Sequence, residues 1–147
     1  MDDRGPAITT FDGDPRYEFL SNFHPCPVVL DGLEYPTVEH AYQAAKTLDL
    51  AERDHVRSAS TPAEAKARGQ EVTMRPDWAD VKIDVMRALL RQKFSAGPLR
   101  DRLLATRPRA LIEGNTWDDR FWGVCDGEGE NWLGRLLMEI REQEADL

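Results

Sequence analysis

Residues 28–46 read VVLDGLEYPTVEHAYQAAK and carry the local signals that decide the fold. Strand-forming residues flank Asp31-Gly32, and an Asp-Gly pair between two such runs favours a tight two-residue hairpin turn. Thr37 can then cap a helix, which we expect to cover residues 38–48. This segment therefore predicts a hairpin that leads directly into a helix.

Most of the remaining sequence shows patterns typical of helices. Residues 61–64 read TPAE, which combines a capping box with proline at the first helical position. Asp77 can cap a longer helix whose apolar residues recur at three- and four-residue intervals, namely Val81, Val85, Met86, Leu89, Leu90 and Phe94. Two more helices are expected, one after Gly97-Pro98 and one at the end of the chain.

Strand signals are few, with weaker candidates only at 7–11 and 110–113. Residues 1–6 and 142–147 offer little to pack and are expected to fray. No repeat or linker interrupts the pattern. The sequence therefore predicts an α+β fold, a helix-rich single domain over residues 1–147 with a small antiparallel sheet.

The composition and charge of the chain exclude several classes of function. The chain has 147 residues, a formal net charge of −8 and a pI near 4.9, so a broad basic face for duplex nucleic acid is excluded. Two cysteines indicate no disulfide framework, and no apolar run is long enough to span a bilayer. We expect a cytoplasmic protein without membrane contact, and the sequence does not determine its oligomeric state.

Three polar residues of the first helix can form a ligand-binding face. Glu39, Gln43 and Lys46 stand at i, i+4 and i+7, which places an acid, an amide and an amine on one side. In the alternative interpretation Glu39 only complements the helix dipole while the other two face water. His40 points about 100° away around the helix and is expected to pack or cap rather than catalyse.

Residues 117–134 form a second candidate region, because tryptophans, acids and glycines lie close together there. Backbone amides from Gly123 onward, leading into a helix at Asn131, could hold a phosphate, and a structural turn is an equal contender. Asp118 and Asp119 could supply a second carboxylate or simply form a turn.

Four tryptophans could stack on a base-like ring or pack in the core, namely Trp78, Trp117, Trp122 and Trp132. The histidines and cysteines show no metal-ligand spacing, so we expect neither a metal nor a cofactor.

Five separated motifs, in order, resemble the YbiA-like or NADAR family. They are FLSNF at 19–23, LEYPTVEHAYQAAK at 33–46, TPAEA at 61–65, RPDW at 75–78 and FWG at 121–123. The resemblance runs from about residue 11 to 141. It implies a compact helix-rich α+β fold and hydrolysis of N-glycosidic bonds in phosphoribosylated riboflavin-pathway intermediates or in ADP-ribosylated guanine.

The resemblance also implies roles for individual residues. Glu39 is similar to the principal active-site acid of the family, and Lys46 to its cationic neighbour. The remaining implied walls and polar anchors are Phe19, Asn22, Trp78, Asp118 or Asp119, Trp122 and Asn131; the helical face adds Gln43, and the glycine-rich run adds Gly123.

An N-glycosidase needs a carboxylate and a proton donor, because the anomeric carbon gains positive charge while the leaving nitrogen gains a proton. We expect Glu39 to activate water or shuttle the proton and Asp118 or Asp119 to stabilise the cation. Lys46 could hold phosphate, lower the pKa of Glu39 or form a Schiff base with the open-chain sugar.

The expected partner is a phosphoribosyl or ADP-ribosyl small molecule, with ADP-ribosylated nucleic acid as a further possibility. A non-catalytic sensor of NAD or ADP-ribose is the alternative function, because it would use the same aromatic walls without needing the carboxylate of Glu39. The leaving group, whether a riboflavin intermediate or guanine, is not determined by the sequence.

Overall fold

The computed structural model describes residues 4–147, and residues 1–3 lie outside the described part. The chain divides into two compact units. We call residues 22–93 the central unit, and residues 1–21 together with 94–147 the terminal unit. The prediction of a single domain stays a prediction.

The central unit begins with the predicted hairpin. Strand β1 (Val28–Leu30) pairs antiparallel with β2 (Leu33–Tyr35), and Leu30 stands opposite Leu33. Asp31 and Gly32 both have positive φ, 48° and 85°, as the two-residue turn requires. The hairpin prediction is confirmed.

Helix α1 (Val38–Ala45) is the centre of this unit. It packs against both hairpin strands and against α2 (Leu50–Arg57), α3 (Pro62–Gly69) and α4 (Trp78–Lys93). All eight of its residues are buried, so its polar side chains lie inside the protein. Each such group must be satisfied there or serve a function.

The caps of these helices come from short polar side chains. Thr37 accepts a hydrogen bond from the backbone N–H of His40, and Thr61 accepts one from Glu64, as the sequence predicts. Helix α1 ends at Ala45 rather than at Leu48, so the predicted end was wrong. Leu48 is exposed, and Asp49 caps a new helix through the N–H of Glu52.

The terminal unit contains a short 3-10 helix (Glu18–Leu20), α5 (Gly97–Ala105), β3 (Gly114–Asn115), β4 (Val124–Cys125) and α6 (Trp132–Ala145). Helices α5 and α6 pack together. The predicted strands at 7–11 and 110–113 reduce to one parallel bridge between Ile8 and Leu111. The short strands β3 and β4 also pair in parallel, which the sequence does not predict.

The chain's end is better packed than expected. Helix α6 continues to Ala145, and the buried Glu144 accepts a hydrogen bond on its carbonyl from the Arg100 guanidinium at 2.9 Å. The prediction of fraying from 142 onward was therefore wrong for most of that segment. The fraying predicted for residues 1–3 lies outside the described residues. In the described part of the chain no helix is long and apolar enough to cross a membrane.

Candidate functional site

Glu39 is a buried carboxylate at the first turn of α1. It is 7% exposed, and its Oε1 accepts a hydrogen bond of 2.8 Å from Nε2 of Gln43, one turn along. Its own N–H donates to the carbonyl of Asn22 at 3.1 Å. Gln43 is only 4% exposed, so the interpretation in which it faces water was wrong. The motifs at 19–23 and 33–46 are therefore in contact at Glu39.

Unsatisfied acceptors lie close to this carboxylate. Oδ1 of Asn22 and Oε1 of Gln43 are buried and accept no hydrogen bond within the described residues, while Nδ2 of Asn22 lies 3.6 Å from Sδ of Met86. A buried acceptor without a donor costs about 1–3 kcal/mol. A ligand rich in hydroxyl or amine groups would remove this cost, because it could donate hydrogen bonds to these oxygens.

Lys46 stands at the end of α1, half-buried. Burial lowers its pKa from the usual value, and the charge of Glu39 raises the pKa only partly in return. Its ammonium nitrogen lies 5.9 Å from the ring centroid of Tyr42. A lysine with a lowered pKa carries more neutral amine near pH 8 than an exposed lysine, so nucleophilic chemistry is open to it.

Trp78 belongs to the same neighbourhood. Its ring centroid lies 5.2 Å from that of Tyr42, and both rings are mostly buried. The turn that carries it is held by the Arg75 N–H, which donates to the Lys46 carbonyl at 2.7 Å, while the Arg75 guanidinium binds Asp77. The RPDW motif therefore sets this aromatic pair against the end of α1.

His40 serves packing, as predicted. It is 2% exposed, and its two ring nitrogens lie 2.8 Å from the Thr37 hydroxyl and 2.9 Å from the Ala59 carbonyl. Both nitrogens are thus engaged in holding the start of α1.

Phe19, in the terminal unit, is a core residue. It is 2% exposed, and its ring meets that of Phe94 edge-on at 6.4 Å. The guanidinium of Arg102 covers its face at 4.1 Å. Its substrate-binding role stays a prediction.

The two neighbouring acids, Asp118 and Asp119, have different surroundings. The Asp118 side chain is 73% exposed, binds Arg120, and its φ is 64°. The Asp119 carboxylate accepts from the N–H groups of Phe121 at 3.2 Å and Trp122 at 2.9 Å. Asp119 therefore forms the turn, and the catalytic role of either acid stays a prediction.

The glycine-rich segment is closed by its own backbone. The N–H groups of residues 130–133 donate to the carbonyls of Arg120, Gly123, Phe121 and Trp122, in that order, at 2.8–3.3 Å. These four amides are therefore unavailable to a phosphate, and the structural-turn alternative holds for them. Trp122 packs edge-on against Phe121 at 4.9 Å, and Phe121 also contacts Trp132.

Asn131 ties this turn to the preceding strand segment. Its Oδ1 accepts from the Glu113 N–H at 2.9 Å, and its Nδ2 donates to the Leu111 carbonyl at 3.0 Å. It takes the left-handed conformation, with φ of 55°. Both the oxygen and the nitrogen of its carboxamide therefore bind the backbone, and a contact between Asn131 and the substrate stays a prediction.

Glu113 is a buried carboxylate that the sequence reasoning missed. It is 6% exposed, and its Oε2 accepts a hydrogen bond from Asn115 at 3.0 Å. A Cβ on Gly123 would lie 1.8 Å from the same oxygen, so the glycine is required for this packing. An acid in a weak strand segment, with no periodic pattern around it, gives no sequence signal of burial.

Among residues 4–147 no group of three His, Cys, Asp or Glu side chains has a metal-binding arrangement. Both cysteines, Cys26 and Cys125, are free.

Comparison with known proteins gives one family and several relatives. The model of the NADAR domain matches residues 10–143. The chain is 44% identical over 142 residues to N-glycosidase YbiA of Escherichia coli, covering 94% of this chain and 88% of that protein. It is 39% identical over 140 residues to a riboflavin biosynthesis protein of Vibrio vulnificus, covering 92% of this chain and 38% of that longer protein. The NMR structure of E. coli YbiA superposes with a TM-score of 0.82 at 42% identity, covering 95% of this chain and 86% of that one.

Proposed function

The chain belongs to the NADAR family and is an N-glycosidase, and from that premise we propose that it hydrolyses the bond between a phosphorylated ribose and an amine of a nucleobase-like heterocycle. A ribosylamino-pyrimidine phosphate is the first choice, because a riboflavin biosynthesis protein is among the relatives. ADP-ribosylated guanine is the second. We also propose that the protein acts in the cytoplasm.

One observation carries the proposal. A buried carboxylate, Glu39, is held by Gln43 at 2.8 Å beside a lysine whose pKa is lowered by burial. Orienting a carboxylate in a partly desolvated site strengthens its interaction with developing positive charge. The anomeric carbon of a ribose that loses an amine develops such a charge.

The chemical balance of the reaction is simple. The bond between C1′ of ribose and the exocyclic nitrogen breaks, a water oxygen bonds to C1′, and one water proton ends on the leaving amine. We assign to Glu39 the transfer of that proton, as base toward water or as acid toward nitrogen. Gln43 keeps the carboxylate in place, and the unsatisfied oxygen of Asn22 is suited to accept from a ribose hydroxyl.

Lys46 has two competing roles in this scheme. As a cation it would attract the phosphate of the substrate. As a neutral amine it would add to C1′ of the ring-opened imine form of the substrate and expel the heterocyclic amine, which leaves with the proton from lysine. The resulting lysine Schiff base is then hydrolysed by water to the free sugar and the lysine amine. Its lowered pKa supports the second role without excluding the first.

The test is a parallel incubation of the protein with a ribosylamino-pyrimidine phosphate and with DNA that carries ADP-ribosylated guanine, followed by mass spectrometry of the released base. We expect release from at least one substrate. Glu39→Gln should lower the rate at least 10²-fold, the usual scale of general acid–base catalysis. Glu34→Gln is the matched control, because Glu34 is exposed on β2.

Turnover by Glu39→Gln at the wild-type rate on both substrates would contradict the assignment. Binding of ADP-ribose or NAD without release of any base would instead support the sensor function and contradict the proposed reaction.

A further inference from the structure

A group of basic side chains in the terminal unit has no part in the proposed reaction. Three arginines, Arg16, Arg102 and Arg109, line one cavity of about 220 Å³. Tyr17, Phe19 and Thr106 belong to the same lining. We call this the arginine pocket. None of its lining residues is acidic, in a chain with a net charge of −8.

Arg109 is oriented by neutral partners. Its Nε donates to the Pro6 carbonyl at 2.6 Å, and its Nη1 donates to the Tyr17 hydroxyl at 2.6 Å. No carboxylate within residues 4–147 pairs with it. A guanidinium has five N–H donors, so these contacts fix its plane and leave further donors and its full charge for a ligand.

Arg102 is held in a similar way. Its guanidinium carbon lies 4.1 Å from the Phe19 ring centroid, and its Nη2 lies 3.4 Å from the Arg16 carbonyl. It likewise has no carboxylate partner in the part of the chain that the structure describes. Stacking on an aromatic face leaves the edge of the guanidinium, which carries its N–H groups, open to an anion.

Among the described residues, Arg16 alone of the three pairs with a carboxylate, that of Asp14 at 2.9 Å. The pocket lining therefore includes two guanidiniums without a carboxylate partner among the described residues. An anion bound there would be attracted by their charge and would accept hydrogen bonds from their N–H groups. Tyr17 accepts from Arg109 through its oxygen, so its own O–H hydrogen remains able to donate.

We propose that the arginine pocket binds the phosphoryl group of a small phosphorylated compound. Arginine pairs with phosphate through two parallel N–H···O bonds, a geometry that suits the fixed guanidiniums of Arg102 and Arg109. The cavity of about 220 Å³ has room for a phosphoryl group, and its opening to solvent leaves space for the rest of a small compound.

The test is calorimetric titration at constant ionic strength with two probes, inorganic phosphate and ribose 5-phosphate. The wild type should bind at least one of them, and tighter binding of ribose 5-phosphate would identify a sugar phosphate rather than free phosphate as the preferred source. Arg109→Gln and Arg102→Gln should each weaken binding at least tenfold. Arg107→Gln is the control, because Arg107 is half exposed, pairs with Glu142 and lies outside the pocket lining.

An absence of heat from the wild type with both probes would overturn the proposal, as would an equal loss in Arg107→Gln. If a Gln variant fails to fold, the Lys variants at 102 and 109 replace it, and they should bind more weakly than the wild type because a lysine cannot pair bidentately. Binding equal to the wild type in both Lys variants would contradict the role of the guanidiniums. The titration involves no turnover, so its failure would leave the proposed N-glycosidase reaction untouched.

Discussion

Gly69 and Gln43 lie in direct contact between helices α3 and α1. A Cβ on Gly69 would stand 2.1 Å from Oε1 of Gln43 and 2.7 Å from its Cβ. The same carboxamide donates to Glu39 through Nε2 at 2.8 Å. The absence of a side chain at position 69 therefore sets where the carboxamide can be, and through it the carboxylate.

Gly69→Ala should disturb this arrangement. The added methyl group would meet both Oε1 and Cβ of Gln43, so the backbone of α3 or α1 must shift along with the carboxamide, and overpacking of this kind typically costs about 1–3 kcal/mol. We expect kcat to fall more than tenfold with a smaller change in KM, because the carboxylate is misplaced while the rest of the site remains. Steady-state kinetics together with thermal melting would measure both effects.

A double-mutant cycle separates positioning from general damage. In the Gln43→Gly background both the carboxamide and the Cβ that a methyl group at position 69 would meet are gone, so Gly69→Ala should cost much less activity than in the wild type. Equal losses in both backgrounds would show that Gly69 does not act through Gln43.

Lys46→Met should change how the stability of the protein depends on pH. Burial lowers the pKa of Lys46 in the folded protein, so the unfolded chain binds more protons between that lowered pKa and 10.5. The free energy of unfolding of the wild type therefore rises with pH through this window, and the variant should lack that rise. Urea denaturation at pH 7 and at pH 10 measures the difference, and identical pH dependence in both proteins would contradict the lowered pKa.

Lys46→Arg distinguishes the two roles proposed for the lysine. Arginine keeps the positive charge and cannot become a neutral amine at ordinary pH. If the lysine only attracts phosphate, this variant should retain activity within about tenfold. If it forms a Schiff base, the variant should lose activity, and borohydride added during turnover should trap a covalent sugar adduct on the wild type alone.

Substitution of Asp119 should lower the melting temperature, whereas substitution of Asp118 should not. Asp119→Ala removes the acceptor for two backbone N–H groups, and the loss of such bonds costs about 1–3 kcal/mol. In a domain of this size that corresponds to roughly 2–4 °C of melting temperature per kcal/mol. Asp118→Asn should leave the melting temperature almost unchanged, since its side chain is 73% exposed and asparagine tolerates the left-handed φ of 64° at this position.

Activity then decides between the acids as candidates for the second carboxylate. If Asp118 takes part in the reaction, Asp118→Asn should lower kcat without any change in melting temperature. If neither variant changes kcat beyond its effect on folding, the second-carboxylate hypothesis is wrong for both.

Trp122→Ala should raise KM, because a stacking wall contributes to substrate binding. Trp117→Ala is its matched control, since Trp117 is 48% exposed. Trp122→Phe serves as a second variant, because it keeps an aromatic ring against Phe121 and should preserve folding. An unchanged KM in a folded Trp122→Ala protein would exclude the wall role.

Local sequence signals predicted the parts of this fold that depend on near neighbours. The hairpin followed from Asp31-Gly32, and two helix starts followed from Thr37 and Thr61, because turns and caps are decided within four residues. The end of α1 was predicted three residues too late, because the apolar pattern continues through Leu48 while the backbone begins a new helix at the Asp49 cap.

By itself, the sequence determined the hairpin, the capped helices, the family motifs and the face that joins Glu39 to Gln43. Each of these rests on periodicity or on side chains a few residues apart. Only the tertiary structure decided that this face is buried, that Gly69 confines Gln43, that Glu113 is a buried acid and that three arginines share one cavity. Arg16 and Arg109 are 93 positions apart in the sequence, and no local pattern can bring such residues together, because only packing and chain topology make those contacts.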